Sequence, residues 1–247
     1  MLPGDVEQRW TAATGLPVSQ GYGLTECSPF ATYNHERDHR PGSVGTPIEN
    51  VEVRVVDEQD REVPADTQGE LAVRWGGPEG PRHGFFAGYL KNAAATEEAW
   101  RGGWFHTGDA VRRDASGMLY FVDRKKNIIR RSGENIAAAE VEACLQAHEA
   151  VAQVAVLAVP DEIREEEVMA CVVAMPGSVA DARLAGELAD WCLGRLAYFK
   201  APGWVLFVDR LPTTGTQKVQ KAQIFPPGED PRRRPGSIDL RARKKRG

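Results

Sequence analysis

The chain has 247 residues, 42% hydrophobic and 27% charged, with a formal net charge of −4, an ordinary globular composition that predicts a sizeable buried core. No apolar run is long enough to span a bilayer, and the first residues lack the basic start and apolar core of a signal peptide, so a soluble cytoplasmic protein is expected. The four cysteines (Cys27, Cys144, Cys171, Cys192) are widely scattered without a C-x-x-C pair, which indicates neither a zinc site nor a disulfide framework.

The charge is unevenly placed. Residues 231–247 hold eight Arg or Lys against one Asp, a net +7 that leaves −11 for residues 1–230. Such a tail suits nucleic acid or anionic lipid, or folding back on the acidic body; without interleaved aromatics, a solvated tail is the expectation and a nucleic-acid function has little support.

In chain order, residues 4–14 read as the end of a helix and Leu16–Gln20 as a short strand that delivers the chain into a glycine turn. Residues 51–57 and 69–75 alternate apolar and polar, the pattern of an antiparallel β region. A Gly-rich loop leads to a short helix over 93–99 and strands around 103–106 and 118–122. After the charged run 123–127 the order becomes strand, helix, strand, strand, helix, strand, in segments short enough for a small α+β domain. Its clearest elements are helices over 137–148 and 182–196 and strands over 151–159, 167–174 and 205–208.

Four runs carry chemistry. Gly21-Tyr22-Gly23-Leu24-Thr25-Glu26 combines backbone that a ligand can approach closely with a hydroxyl suited to a phosphate oxygen and a carboxylate suited to magnesium. Taken alone, such a run is more often a plain turn. In Gly103-Trp104-Phe105-His106-Thr107-Gly108-Asp109 a strand ends in a glycine turn that presents an acid, placed to accept both hydroxyls of a ribose or to serve merely as a turn residue; His106 reads as a satisfied core histidine.

The third run, 120–136, puts seven charges beside a domain junction and ends in a glycine corner at Gly133; it reads as a solvated linker or as a hinge whose cations meet a polyphosphate. The fourth, 211–221, is a Gly/Thr loop that carries Lys218 just before a predicted helix. A loop lysine is ordinarily a surface residue, but a movable cation also serves to offset charge on transferred phosphoryl oxygens.

Together and in this order the four runs resemble the second half of an adenylate-forming enzyme of the acyl-CoA synthetase (AMP-binding) superfamily, from about Leu16 to about Ile224. The resemblance implies an α/β fold: the C-terminal portion of the large adenylate-forming domain over residues 1–124, with a sheet end and an antiparallel β subdomain, then a small α+β lid domain over 125–226 and a basic tail over 227–247. It also implies activation of a carboxylic acid with ATP to an acyl adenylate, followed by transfer to coenzyme A.

Residue roles follow from the same resemblance. Gln20, Gly21, Tyr22 and Gly23 border the adenylate and acyl group, Thr25 contacts phosphate, and Glu26 holds Mg²⁺. Asp109 binds the ribose hydroxyls with Arg124 nearby, and Lys126 is the hinge. Lys218 reaches the α-phosphate and carboxylate during adenylation, then swings away as the Gly133 loop comes in to line the thiol's tunnel. Arg130 and Asn135 align with polar residues that touch phosphate or coenzyme A.

One departure bears on activity. The Ser/Thr/Gly-rich loop that wraps pyrophosphate in such enzymes does not occur here, nor does a G-x-x-x-x-G-K-[ST] substitute. A fragment is therefore expected, with the N-terminal half as a candidate partner. The alternative function is a non-catalytic remnant that binds nucleotide or coenzyme A weakly. An amino-acid-activating domain of a peptide synthetase shares the chemistry but continues into a carrier domain. Resemblance around 129–135 hints at fatty, aryl or carnitine-type acids without choosing among them.

Overall fold

Residues 4–215 and 218–244 are described by the structure, a computed structural model; Thr216 and Gln217 of the Gly/Thr loop and residues 245–247 of the basic tail lie outside them. The chain divides into two compact units, Met1–Lys126 and Asn127–Gly247.

In the first unit, helix α1 (Gly4–Thr14) ends where Gly15 turns into the left-handed region at φ +72° and its N–H caps the Thr11 carbonyl at 2.8 Å. Glu7 on this helix is buried against His39, with Oε1 3.0 Å from Nε2. The strand expected over Leu16–Gln20 does not form. Leu16 is exposed and Pro17 has no N–H to give a ladder, so regular pairing starts only at β1 (Gly21–Gly23). β1 pairs antiparallel with β2 (Phe30–Tyr33), and β2 with β3 (Thr46–Pro47).

The alternating segments form an antiparallel meander of β4 (Val51–Val56), β5 (Gln68–Trp75), β6 (Phe105–Arg113) and β7 (Leu119–Arg124), in that spatial order. Between β5 and β6 lies helix α2 (Ala93–Ala99), whose N-terminus is capped by the Asn92 side chain accepting from the Ala95 N–H at 3.1 Å. Tyr22, Val55, Leu71, Val73, Trp100, Phe105, Val111 and Leu119 share one core. The core-facing side of the glycine turn is thus fixed by the same apolar layer that holds the meander.

The second unit opens with a hairpin of β8 (Ile128–Arg131) and β9 (Glu134–Ala137), followed by α3 (Ala138–Gln146), β10 (Val151–Asp161), β11 (Glu165–Ala174), α4 (Ala182–Leu193) and β12 (Trp204–Phe207). Helix α4 bridges the parallel pair β11 and β12, as a crossover must. Its Leu184, Ala185, Leu188, Ala189 and Cys192 recur at helical spacing and enter a core with Val141 and Leu145 of α3.

The described part of the basic tail folds back on the rest of the unit instead of standing free in solvent, which corrects the expectation from its charge. Residues Ile238–Asp239 form β13 on the edge of the sheet against β12, and Leu240 is buried in the core. Arg232 bonds Glu162 at 2.8 Å, Arg241 bonds Asp161 at 2.9 Å and Arg243 bonds Asp190 at 2.7 Å. Carboxylates from earlier in the chain thus supply counter-charges to the tail.

Cys27, Cys171 and Cys192 are buried and Cys144 is half-buried. Burial pushes the thiols of Cys27 and Cys192 up and that of Cys171 to about 12.

Candidate functional site

Strand β1 turns Tyr22 into the core and leaves Gly21 and Gly23 on the open side. Only glycine fits at 23: a Cβ there would lie 1.7 Å from the Pro29 carbonyl oxygen. The chain then makes a 3₁₀ turn over Thr25–Cys27 that sets Thr25 and Glu26 side by side toward solvent. Glu26 is held at both ends, its carbonyl accepting from the Phe86 N–H at 2.9 Å and its carboxylate from the Tyr89 hydroxyl at 3.1 Å.

Asp109 reaches Tyr22 from β6. Gly108, at φ +70°, falls where the β5–β6 register slips, and this bulge re-aims the next side chain. Thr107 Oγ1 donates to the Leu71 carbonyl at 2.7 Å and accepts from the Asp109 N–H at 3.2 Å, which stiffens the corner. The Tyr22 hydroxyl donates to Asp109 Oδ2 at 2.6 Å, and Arg124, paired with Asp109 across β6 and β7, brings Nε within 3.7 Å of Oδ1. Burial, then the Asp109 carboxylate, pushes the Tyr22 phenol far up, so Tyr22 is a fixed proton donor.

Beneath this corner lies a residue that the sequence did not single out. Glu70 on β5 is buried and accepts from the Gly108 N–H through Oε1 at 3.0 Å, while Oε2 takes Lys125 Nζ at 2.8 Å and lies 3.2 Å from Arg101 and 3.3 Å from His106 Nδ1. Burial by itself would raise its pKa; hydrogen bonds from His106 and Lys125 overcome that and hold the carboxyl at about 2. The available signal was a carboxylate inside an otherwise buried strand, between Gly69 and Leu71. Tyr89 was likewise missed as the partner of Glu26.

The remaining predicted residues are distributed between the units. Gln20 accepts the Asn34 N–H through its carbonyl at 2.8 Å beside the β1 turn, and Lys126 is exposed in a 3₁₀ turn, Lys125–Asn127. In the second unit, Arg130 and Asn135 face each other across the β8–β9 hairpin and are exposed, and Gly133 forms its corner at φ +82°. Lys218 is exposed; its N–H donates to Thr214 Oγ1 at 3.1 Å and its carbonyl accepts from the Thr214 N–H at 2.8 Å. The structure thus brings Tyr22, Asp109 and Arg124 together, with Thr25 and Glu26 on the same turn as Tyr22, and carries Arg130, Gly133, Asn135 and Lys218 on the other unit.

Among the described residues no three His, Cys, Asp or Glu side chains cluster as a metal cage. A single carboxylate such as that of Glu26, together with substrate phosphates, is a common way for a protein to hold Mg²⁺. No helix among the described residues is long and apolar enough to cross a membrane.

Residues 1–90 match the model of the AMP-binding enzyme family, and residues 140–218 that of the AMP-binding enzyme C-terminal domain. A long-chain-fatty-acid–CoA ligase of Escherichia coli is 36% identical over 220 residues, which cover 89% of this chain and 37% of the ligase. A feruloyl-CoA synthase of an Amycolatopsis species is 38% identical over 226 residues, or 90% of this chain and 44% of the synthase. The o-succinylbenzoate CoA synthetase of Bacillus subtilis, solved with its acyl-adenylate intermediate, superposes with a TM-score of 0.77 at 30% identity, covering 90% of this chain and 43% of that one. An anthranilate CoA ligase in complex with anthranoyl-AMP gives a TM-score of 0.75 at 31% identity, covering 89% and 41%. The chain thus spans about two fifths of the length of these proteins.

Proposed function

Because the chain belongs to the AMP-binding enzyme superfamily, in its acyl-CoA ligase branch, we propose that it supplies the ribose, magnesium and lid residues of an ATP-dependent carboxylic acid–CoA ligase. The observation that carries this reading is the Tyr22, Asp109 and Arg124 constellation: a charged acceptor, oriented by a phenol that cannot ionise, with a guanidinium beside it. Such an acceptor takes the paired hydroxyls of a ribose, and the arginine balances its charge.

Around that anchor the roles divide. Thr25 donates to phosphate from the exposed 3₁₀ turn, and Gln20, Gly21, Tyr22 and Gly23 border the adenylate and acyl group. Glu26, oriented by Tyr89, would hold Mg²⁺, which when bound neutralises triphosphate charge and strengthens the electrophile. Lys218 offsets charge at the α-phosphate and carboxylate during adenylation. Lys126 is the hinge, and the Gly133 corner, with Arg130 and Asn135, meets coenzyme A in the thioester step.

A second reading has its own support. Since the chain covers only 37% of the fatty-acid ligase and 44% of the feruloyl-CoA synthase, the polypeptide by itself is a nucleotide- or CoA-binding portion that needs a complementing segment for turnover. ATP–pyrophosphate exchange by the purified chain, with fatty, aryl and carnitine-type acids, separates the two. Carboxylate-dependent exchange supports catalysis by this chain; binding of AMP or coenzyme A without exchange supports the second reading; failure to bind either one removes the common basis of both.

A further inference from the structure

Arg131, Glu167 and Lys244 form a buried ion triad in the second unit, with side chains 2%, 0% and 1% exposed. Arg131 Nε donates to Glu167 Oε2 at 2.8 Å and Lys244 Nζ donates to Oε1, so each carboxylate oxygen holds one cation. The backbone makes room for it: a Cβ at Gly203 would lie 2.5 Å from Glu167 Cγ. Burial pulls the Lys244 ammonium down to about 8 even beside that carboxylate. Holding a charge there is unfavourable unless neighbouring structure keeps it in place.

The segment before Lys244 does so. β13 pairs with β12, and the Leu240 N–H donates to the Gly203 carbonyl at 2.8 Å while its side chain enters the core. Arg241 bonds Asp161 and lies over the Trp204 ring, 4.8 Å from its centre. At the other end of the triad, Arg131 closes β8 and directly precedes Ser132 and Gly133, at φ +52° and +82°. It pairs with Glu165 of β11, and the Ser132 N–H donates to the Arg164 carbonyl at 3.1 Å.

We propose that residues 238–244 are a positioning strap for the Ser132–Gly133 corner: Lys244, acting through Glu167, holds Arg131 and so sets the shape of the hairpin. The functional weight of this strap rests on the reading of that corner as the one that meets coenzyme A. The contacts that make the strap do not. An element far along the chain thereby governs the geometry of the thioester step without touching substrate.

Hydrogen exchange on the purified chain tests it. With Lys244→Met, the β8–β9 amides (128–137) should exchange at least tenfold faster while α3 amides 141–145 keep their protection. Unchanged hairpin exchange overturns the strap, and so does an equal rise in α3, which would mean general loosening. Should Lys244→Met fail to fold, Arg241→Gln removes the outer clamp at a partly exposed position. A rise confined to the hairpin then supports the strap, and none overturns it. Added coenzyme A distinguishes the reading beneath: it should protect the 132–135 corner of the unaltered chain. Absence of that protection defeats the thiol assignment, whereas the strap stands or falls on the variants.

Discussion

Tyr22 and Asp109, 87 residues apart in the chain, share a buried 2.6 Å hydrogen bond that ties the glycine turn of β1 to the bulged corner of β6. Because burial and the neighbouring carboxylate keep the phenol protonated, the bond has one direction: Tyr22 donates and Asp109 accepts. The acid is thereby fixed in place by the fold itself.

Tyr22→Phe removes that donor while leaving the ring in its apolar layer. It should cost about 1.5–3 kcal/mol, the range for a hydrogen bond to a charged group, seen as a lower urea midpoint at unchanged slope. An unchanged midpoint would mean that the bond contributes nothing to the corner.

Asp109→Asn keeps an acceptor for Tyr22 but loses the charge. AMP affinity, measured by calorimetry, should fall by about 10- to 100-fold, or roughly 1.4–2.8 kcal/mol. Its unfolding midpoint should move less than that of Asp109→Ala, which leaves the phenol without a partner. Equal AMP affinity in all three proteins would remove Asp109 from the ribose site.

Gly23→Ala places a methyl 1.7 Å from the Pro29 carbonyl, and backbone rather than a flexible side chain must yield. A loss of at least ~2 kcal/mol is expected from this forced shift. The check is chemical denaturation, with AMP binding measured in parallel; a variant as stable as the parent would contradict the close approach.

Glu70 gives a pH signature. Its folded pKa of about 2 lies below its usual 4.5, so the unfolded state binds more protons between these values and stability rises with pH there. The contribution is fully present above about pH 4.5 and is lost as the pH falls toward 2. At ~1.4 kcal/mol per unit it is on the order of 3 kcal/mol. Glu70→Gln should flatten this part of the acid-unfolding profile; a profile parallel to the parent's would sink the assignment.

Lys218→Ala should leave the fold unchanged, since the side chain is exposed and its loop contacts are made by backbone. In an adenylation-competent preparation it should slow carboxylate-dependent ATP–pyrophosphate exchange about 10²- to 10³-fold, the scale for removing one charge-stabilising group. Thioester formation from supplied acyl adenylate should persist. Equal loss of both steps would contradict the division of roles.

Local pattern carried much of this fold. Val51–Val56 largely alternates apolar and polar residues, Gln68–Trp75 carries the apolar run Leu71–Val73 of a buried strand, and Ala182–Leu193 repeats apolar residues at helical spacing behind an Asp181 cap, so their elements follow from neighbours a few positions away. Leu16–Gln20 misled because an extended, proline-containing segment looks like a strand whether or not a partner strand is there. The basic tail misled for the opposite reason: Asp161, Glu162, Glu167 and Asp190 compensate it from well upstream, and composition within a short window cannot register them. Similarly, the four motifs were readable as runs, but the meeting of Tyr22 with Asp109 and the role of Glu70 beneath Gly108 depend on sheet register.

The cysteines have a practical consequence. With Cys27, Cys171 and Cys192 buried and their thiols pushed up, few native sulfurs compete for a maleimide at neutral pH. A thiol introduced at an exposed position outside the proposed site, such as Val179, would label faster than those three. The chain thus lends itself to a site-directed fluorophore or spin label, through which ligand-driven changes in the second unit could be followed in real time.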